Sequence, residues 1–183
     1  MAATDQFDLT NQYERIAAEE YQRVRSSGVK IEILWKKSAS LSGRAGMVAG
    51  SKGKRWWMKV SHPRGLKTLD TFLHELGHIH YRQRQRPFAL WEWYAERFVI
   101  EVLAARGIVR HQERIQHHNW YVASGLAQAL NRGIKQVPPE LEPYRQFLFL
   151  REHAYCHWPG TSRERWSSKW WAMLPKELPS VYP

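Results

Sequence analysis

"LDTFLHELGHIHYRQRQRPFALWEWYAERFV", residues 69–99, decides how the chain is read, because it sets His-Glu-x-x-His inside one helical pattern and follows it with a second, Glu-containing one. From about Leu66 the apolar positions Leu69, Phe72, Leu73, Leu76 and Ile79 recur at the spacing of one helix face, a pattern carried here to about Arg84. Pro87 suits the first turn of a new helix. Its apolar face would be Trp91, Ala95, Phe98, Val99, Val102 and Leu103, and Gly107 would end it. His74 and His78 are four residues apart, so on a helix they project from one face about a turn apart, where two imidazoles can bind one tetrahedral zinc ion. Glu75, one residue round the helix from His74, is placed to take a proton from an activated water rather than to bind metal. A chain of this composition carries the five-residue pattern by chance roughly 0.03 times, so its surroundings must strengthen the reading.

A catalytic zinc takes three protein ligands and keeps one position open. The second helix offers two carboxylates for the third place. With about 1.5 Å of rise per residue, the return from Pro87 brings Glu92 level with His78 and Glu96 level with His74, and the spacing alone does not choose between them.

"HELGH" followed by "EWYAERF" resembles the gluzincin class of zinc metallopeptidases, and most closely the ImmA/IrrE family, whose members pair "HELGH" with a helix of the form Glu-x-x-Ala-(Asp/Asn)-x-Phe. The resemblance covers roughly residues 29–104. It implies Zn2+ as cofactor, Glu92 as the third ligand, Ala95 as the small residue and Phe98 as the core aromatic. Glu96 takes the Asp/Asn position, which orients a zinc histidine, and the longer Glu is a departure from that pattern. The implied fold is α+β, a minimal gluzincin-like zincin with an N-terminal helix, a small antiparallel sheet, an active-site helix, a glutamate helix and a C-terminal helical extension. The implied activity is that of a zinc metalloendopeptidase, a cytoplasmic protease that cuts a repressor-like protein of a mobile element. Zinc would polarise the scissile carbonyl and Glu75 would remove the water's proton. The oxyanion donor is not identified by sequence, and Tyr121, His118 and His111 are the candidates because they follow the core in a helical segment.

Around this centre, the spacing predicts a helix within residues 8–27, with Tyr13, Ile16, Ala17, Tyr21 and Val24 on one face and Gly28 as its stop. "VKIEILWKK" (29–37), "RAGMVAG" (44–50) and "KRWWMKVS" (54–61) read as strands of a small antiparallel sheet. The last of them would lie on the cleft rim and offer an unpaired edge to a substrate strand. Two more helices are predicted over about 111–131 and 140–155, separated by Gly133 and the Pro138-Pro139 pair. The chain of 183 residues is read as a single domain, with a zincin core over about 29–107 and a helical, Trp- and basic-rich extension over about 108–183.

Composition bounds the partners. The start, "MAATDQFDLT", lacks the pattern of a secretory signal and no membrane-spanning run is found, so a soluble cytoplasmic protein is expected. Cys156 is the only cysteine, which excludes an internal disulfide and any site built from several thiolates of one chain. A cluster of His153, Cys156 and His157 has no partner motif, and His80 points away from the His74–His78 pair, so neither is read as a metal site. Twenty-eight Lys and Arg against 17 Asp and Glu give a net charge of +11, and Trp occurs ten times. That makes nucleic acid a candidate partner through a basic surface, beside a protein or peptide substrate. After Pro159, Arg163, Arg165 and Lys169 interleave with Trp166, Trp170 and Trp171; packing of these tryptophans on the core is the favoured reading over base stacking. A DNA-associated protease and a catalytically silent nucleic-acid-binding module are the competing functions, and an intact Glu75 argues against the second.

Overall fold

The computed structural model describes residues 7–37, 41–50, 53–81 and 87–151. In chain order the elements are α1 (Gln12–Ser26), β1 (Ile31–Trp35), β2 (Arg44–Gly50), β3 (Gly53–Val60), α2 (Leu66–His80), α3 (Phe88–Ala104), α4 (Gln112–Asn131) and a 3-10 helix (Pro139–Arg151). The class is α+β. Two compact units divide the chain, Met1–Arg82 with Tyr94–Ile108, and Gln83–Trp93 with Val109–Pro183; α3 runs unbroken through the division.

In the first unit, helix α1 starts where the Asn11 side chain accepts from the N–H groups of Tyr13 and Glu14, at 2.9 and 3.2 Å, satisfying donors that the first turn leaves open. It stops at Gly28, whose φ of 84° is the left-handed conformation that a residue without Cβ adopts at little cost. Helix α3 ends in the same manner at Gly107, where the Ile108 N–H reaches the Leu103 carbonyl at 3.0 Å and the Gly107 N–H reaches that of Ala104 at 3.0 Å. Five apolar residues of α2, Leu69, Phe72, Leu73, Leu76 and Ile79, are fully buried, and Leu66 at its start is partly so. They share one core with Ile16, Tyr21 and Val24 of α1, Trp56, Met58 and Val60 of β3, and Phe98, Val99, Val102 and Leu103 of α3. Removing that apolar surface from water is the main force holding the helices on the sheet.

The sheet is mixed, not antiparallel. Its order is β1-β3-β2; β1 runs parallel to β3 with Ile31 opposite Trp56, and β2 runs antiparallel to β3 with Arg44 opposite Lys59. β3 is therefore the central strand, paired on both sides, and has no open edge for a substrate. Among the described residues the free edges belong to β1 and β2. Alternation nevertheless holds: Trp56, Met58 and Val60 face the core, while Arg55, Trp57 and Lys59 face outward.

Polar groups fasten the first unit at two places. Glu14 of α1 is buried and accepts from the Asp8 N–H at 2.8 Å and Arg64 Nε at 3.1 Å, joining the segment before α1 to the one before α2. Arg106, just beyond α3, donates to Glu20 at 2.7 Å and Glu19 at 3.1 Å, joining α1 to the end of α3.

α2 is shorter than the sequence pattern suggested. It ends at His80, and Tyr81 caps it with its N–H on the Gly77 carbonyl. The Tyr81 ring meets Tyr94 at 5.0 Å, and burial, then the Glu101 carboxylate, raise its phenol above the ordinary tyrosine range, so it stays neutral at physiological pH.

In the second unit, Val122, Ala123, Leu126 and Ala127 of α4 are buried together with Leu141 and Tyr144 of the 3-10 helix, and Tyr144 Oη donates to Asn119 Oδ1 at 3.2 Å. The helix expected over about 140–155 is a 3-10 helix over Pro139–Arg151, residues 152–155 lying outside the described ones; Pro143 lies inside it and cannot donate the i→i−4 bond that an α-helix needs there. Among the described residues no helix is long and apolar enough to cross a membrane.

Candidate metal centre

The helical pattern of α2 puts His74 and Glu75 on one turn and His78 on the next, in a helix whose apolar side is fixed in the core. The two imidazoles lie 4.7 Å apart between ring centres and nearly perpendicular, at 85°. His78 is buried, whereas the His74 side chain keeps 19% of its exposure. Glu96 on α3 is 1% exposed and brings Oε2 to 3.4 Å from His74 Nδ1. A neutral His74 that presents its Nδ1–H to this carboxylate keeps Nε2 as a lone-pair donor for a metal ion. The longer Glu at the Asp/Asn position therefore still reaches the histidine.

Two glycines shape the surroundings. At Gly77, a Cβ would sit 2.8 Å from the Ala95 carbonyl oxygen and 2.9 Å from Ala95 Cα, so the backbones of α2 and α3 touch where both chains carry their smallest side chains. Leu76-Gly77-His78 on one helix and Ala95-Glu96 on the other are in register because of this contact. At Gly43, a Cβ would lie 2.5 Å from both Cγ and Oε1 of Glu75. The segment leading into β2 thus crosses directly over the Glu75 side chain, and the Thr71 hydroxyl, 3.2 Å from the Leu41 carbonyl, holds it there. Sequence reading missed Gly43. Its only local signal is a glycine immediately before a strand, which suggests close backbone approach without naming the partner.

Glu92 is buried and stands one turn before Glu96 on α3. His80 turns its ring to Phe98 at 5.1 Å and Tyr81 at 4.9 Å, away from the pair. The three oxyanion candidates lie in the second unit: His118 on α4 is buried, Tyr121 on α4 is half-buried with its ring 6.2 Å from Phe88, and His111 is exposed at the position preceding that helix. His153, Cys156, His157 and the Trp- and Arg-containing stretch after Pro159 lie outside the described residues.

The donor chemistry fits zinc: two imidazole nitrogens on one helix, one of them backed by a carboxylate, with further buried carboxylate on the neighbouring helix. Compared with models of known families, with curated proteins and with solved structures, the chain matches none.

Proposed function

We propose that this chain is a zinc-dependent endopeptidase of the gluzincin kind, with His74, His78 and Glu92 as ligands and Glu75 as general base. The observation that carries the reading is the His74–Glu96 contact of 3.4 Å. A histidine of His-Glu-x-x-His backed from its far nitrogen is the arrangement that orients an imidazole toward a metal. On this reading the two glutamates do different work: Glu96 orients His74, and Glu92, one turn earlier on the same helix, is the third ligand. Zn2+ held by these three would supply a Lewis acid that polarises the scissile carbonyl and acidifies a water.

The remaining steps belong to the protein. Glu75, buried beneath Gly43, accepts a proton as the water oxygen bonds to the carbonyl carbon, then delivers it to the departing nitrogen as the C–N bond breaks. Substrate is held as an added strand along β2, since β3 has no open edge and β2 begins beside Glu75. The substrate class proposed is a protein chain in extended conformation, such as the exposed segment of a repressor-like regulator.

The reading predicts that the purified protein cleaves some members of a random peptide library, that a chelator stops the cleavage, and that added Zn2+ restores it. Mass spectrometry of the products checks this. Cleavage that persists without metal, or none from fully zinc-loaded protein, contradicts it.

A further inference from the structure

The outward face of the sheet carries side chains that the peptidase reading does not use. Three cross-strand rows follow from the register: Leu34, Lys59 and Arg44; Glu32, Trp57 and Gly46; and Arg55 with Val48. Trp57 sits at the centre. A Cβ on Gly46 would meet Cζ2, Cε2 and Nε1 of its indole at 2.8, 2.9 and 3.0 Å, so the indole occupies the space that the missing side chain leaves, and it stays half-buried. Arg44, Arg55, Lys59, Leu34 and Val48 around it are all exposed. Glu32 is the one acid of the face and pairs with Arg55 at 3.3 Å, across side chains 44% and 60% exposed, a bond of little strength in water.

We infer that this face binds single-stranded DNA, with Trp57 as the platform for one base and Arg44, Lys59 and Arg55 against the flanking phosphates. A half-buried indole flanked by exposed cations on a sheet face combines the two forces that hold single strands, stacking and phosphate attraction. Three cations against one carboxylate give the face the charge complementary to a phosphodiester chain. Leu34 and Val48 suit a thymine methyl, which favours oligo(dT) over oligo(rU), whose bases lack that methyl. The site lies on the side of the sheet away from α2, so the inference stands apart from the peptidase reading.

Fluorescence anisotropy of labelled oligo(dT) with the full-length protein tests it. Affinity should fall as salt rises from about 50 to about 200 mM, with a logarithmic slope near −2 for three phosphates at about −0.7 each. Trp57→Ala should weaken binding about 5- to 150-fold, and Trp57→Phe should recover much of it. Arg44→Ala with Lys59→Ala should flatten the slope by about 1.4. Thermal melts show whether each variant is folded, and the Phe variant keeps the test open if the Ala variant is not. The proposal is overturned if Trp57→Ala and Trp57→Phe both bind as wild type, if polyphosphate, which has no bases, binds as tightly as oligo(dT), or if oligo(rU) binds more tightly than oligo(dT). Loss of binding in Arg163→Ala/Arg165→Ala/Lys169→Ala with none in Trp57→Ala would assign the DNA to the C-terminal segment instead.

Discussion

Glu75→Gln is expected to bind zinc as the wild type does and to hydrolyse peptides about 10²–10⁴-fold more slowly, the range that a positioned general base contributes. Glutamine has nearly the size of glutamate, so it fits beneath Gly43, where Cγ and the carboxylate already lie within 2.5 Å of the space a Cβ would take. What it lacks is an oxygen able to hold a proton. The fold and the histidines should be unaffected, because the change keeps one carbonyl oxygen and adds only an amide at a place already polar. Steady-state cleavage of a peptide identified from the library, together with metal analysis, separates the cases. A variant as fast as wild type removes Glu75 from the mechanism. A variant that is slow because it has lost zinc means that Glu75 supports the metal rather than the water.

Gly77→Val should have the largest effect on the fold around the site. Valine brings a branched side chain to a place where even a Cβ would lie 2.8 Å from a backbone oxygen and 3.0 Å from Phe98 Cβ. Backbone atoms cannot rotate away, so α2 and α3 must separate. Overpacking of this kind costs about 1–3 kcal/mol, which for a chain of this size lowers Tm by roughly 2–12 °C. The same separation pulls Glu96 from His74, so zinc affinity should fall with stability. Calorimetry and metal content check both. Wild-type Tm with full zinc content would mean that the helices do not depend on this contact.

Much of the centre was legible because it is local. A helix fixes which residues share a face, so the spacing of Leu69, Phe72, Leu73, Leu76 and Ile79 was enough to place His74 and His78 together on α2. Gly28 and Gly107 marked helix ends because a left-handed φ is required there. The sheet was legible only by halves. Alternation in "KRWWMKVS" separates inward Trp56 and Met58 from outward Trp57 and Lys59, yet it carries no information on which strands are neighbours or which way they run; that depends on hydrogen bonds between distant segments. Hence β3 was read as an edge although it is the central strand. The end of α2 was misplaced because no Gly or Pro intervenes between His80 and Pro87 to stop a helical pattern. The final helix was legible as a helix, but its 3-10 character was not; Pro143 within it is the local signal for that tighter form. Gly43 over Glu75 could not be read, since residues 32 apart meet only through the fold.

The central claim is that two histidines of α2 and one glutamate of α3 hold a metal ion while the other glutamate orients His74. Elemental analysis of purified wild-type, His74→Ala, Glu92→Ala and Glu96→Ala proteins, prepared with zinc and dialysed alike, tests it most directly. The account predicts about one zinc per wild-type chain, none retained in His74→Ala or Glu92→Ala, and zinc bound about 10- to 100-fold more weakly in Glu96→Ala. A wild type without zinc, or zinc kept in Glu92→Ala and lost in Glu96→Ala, would contradict it.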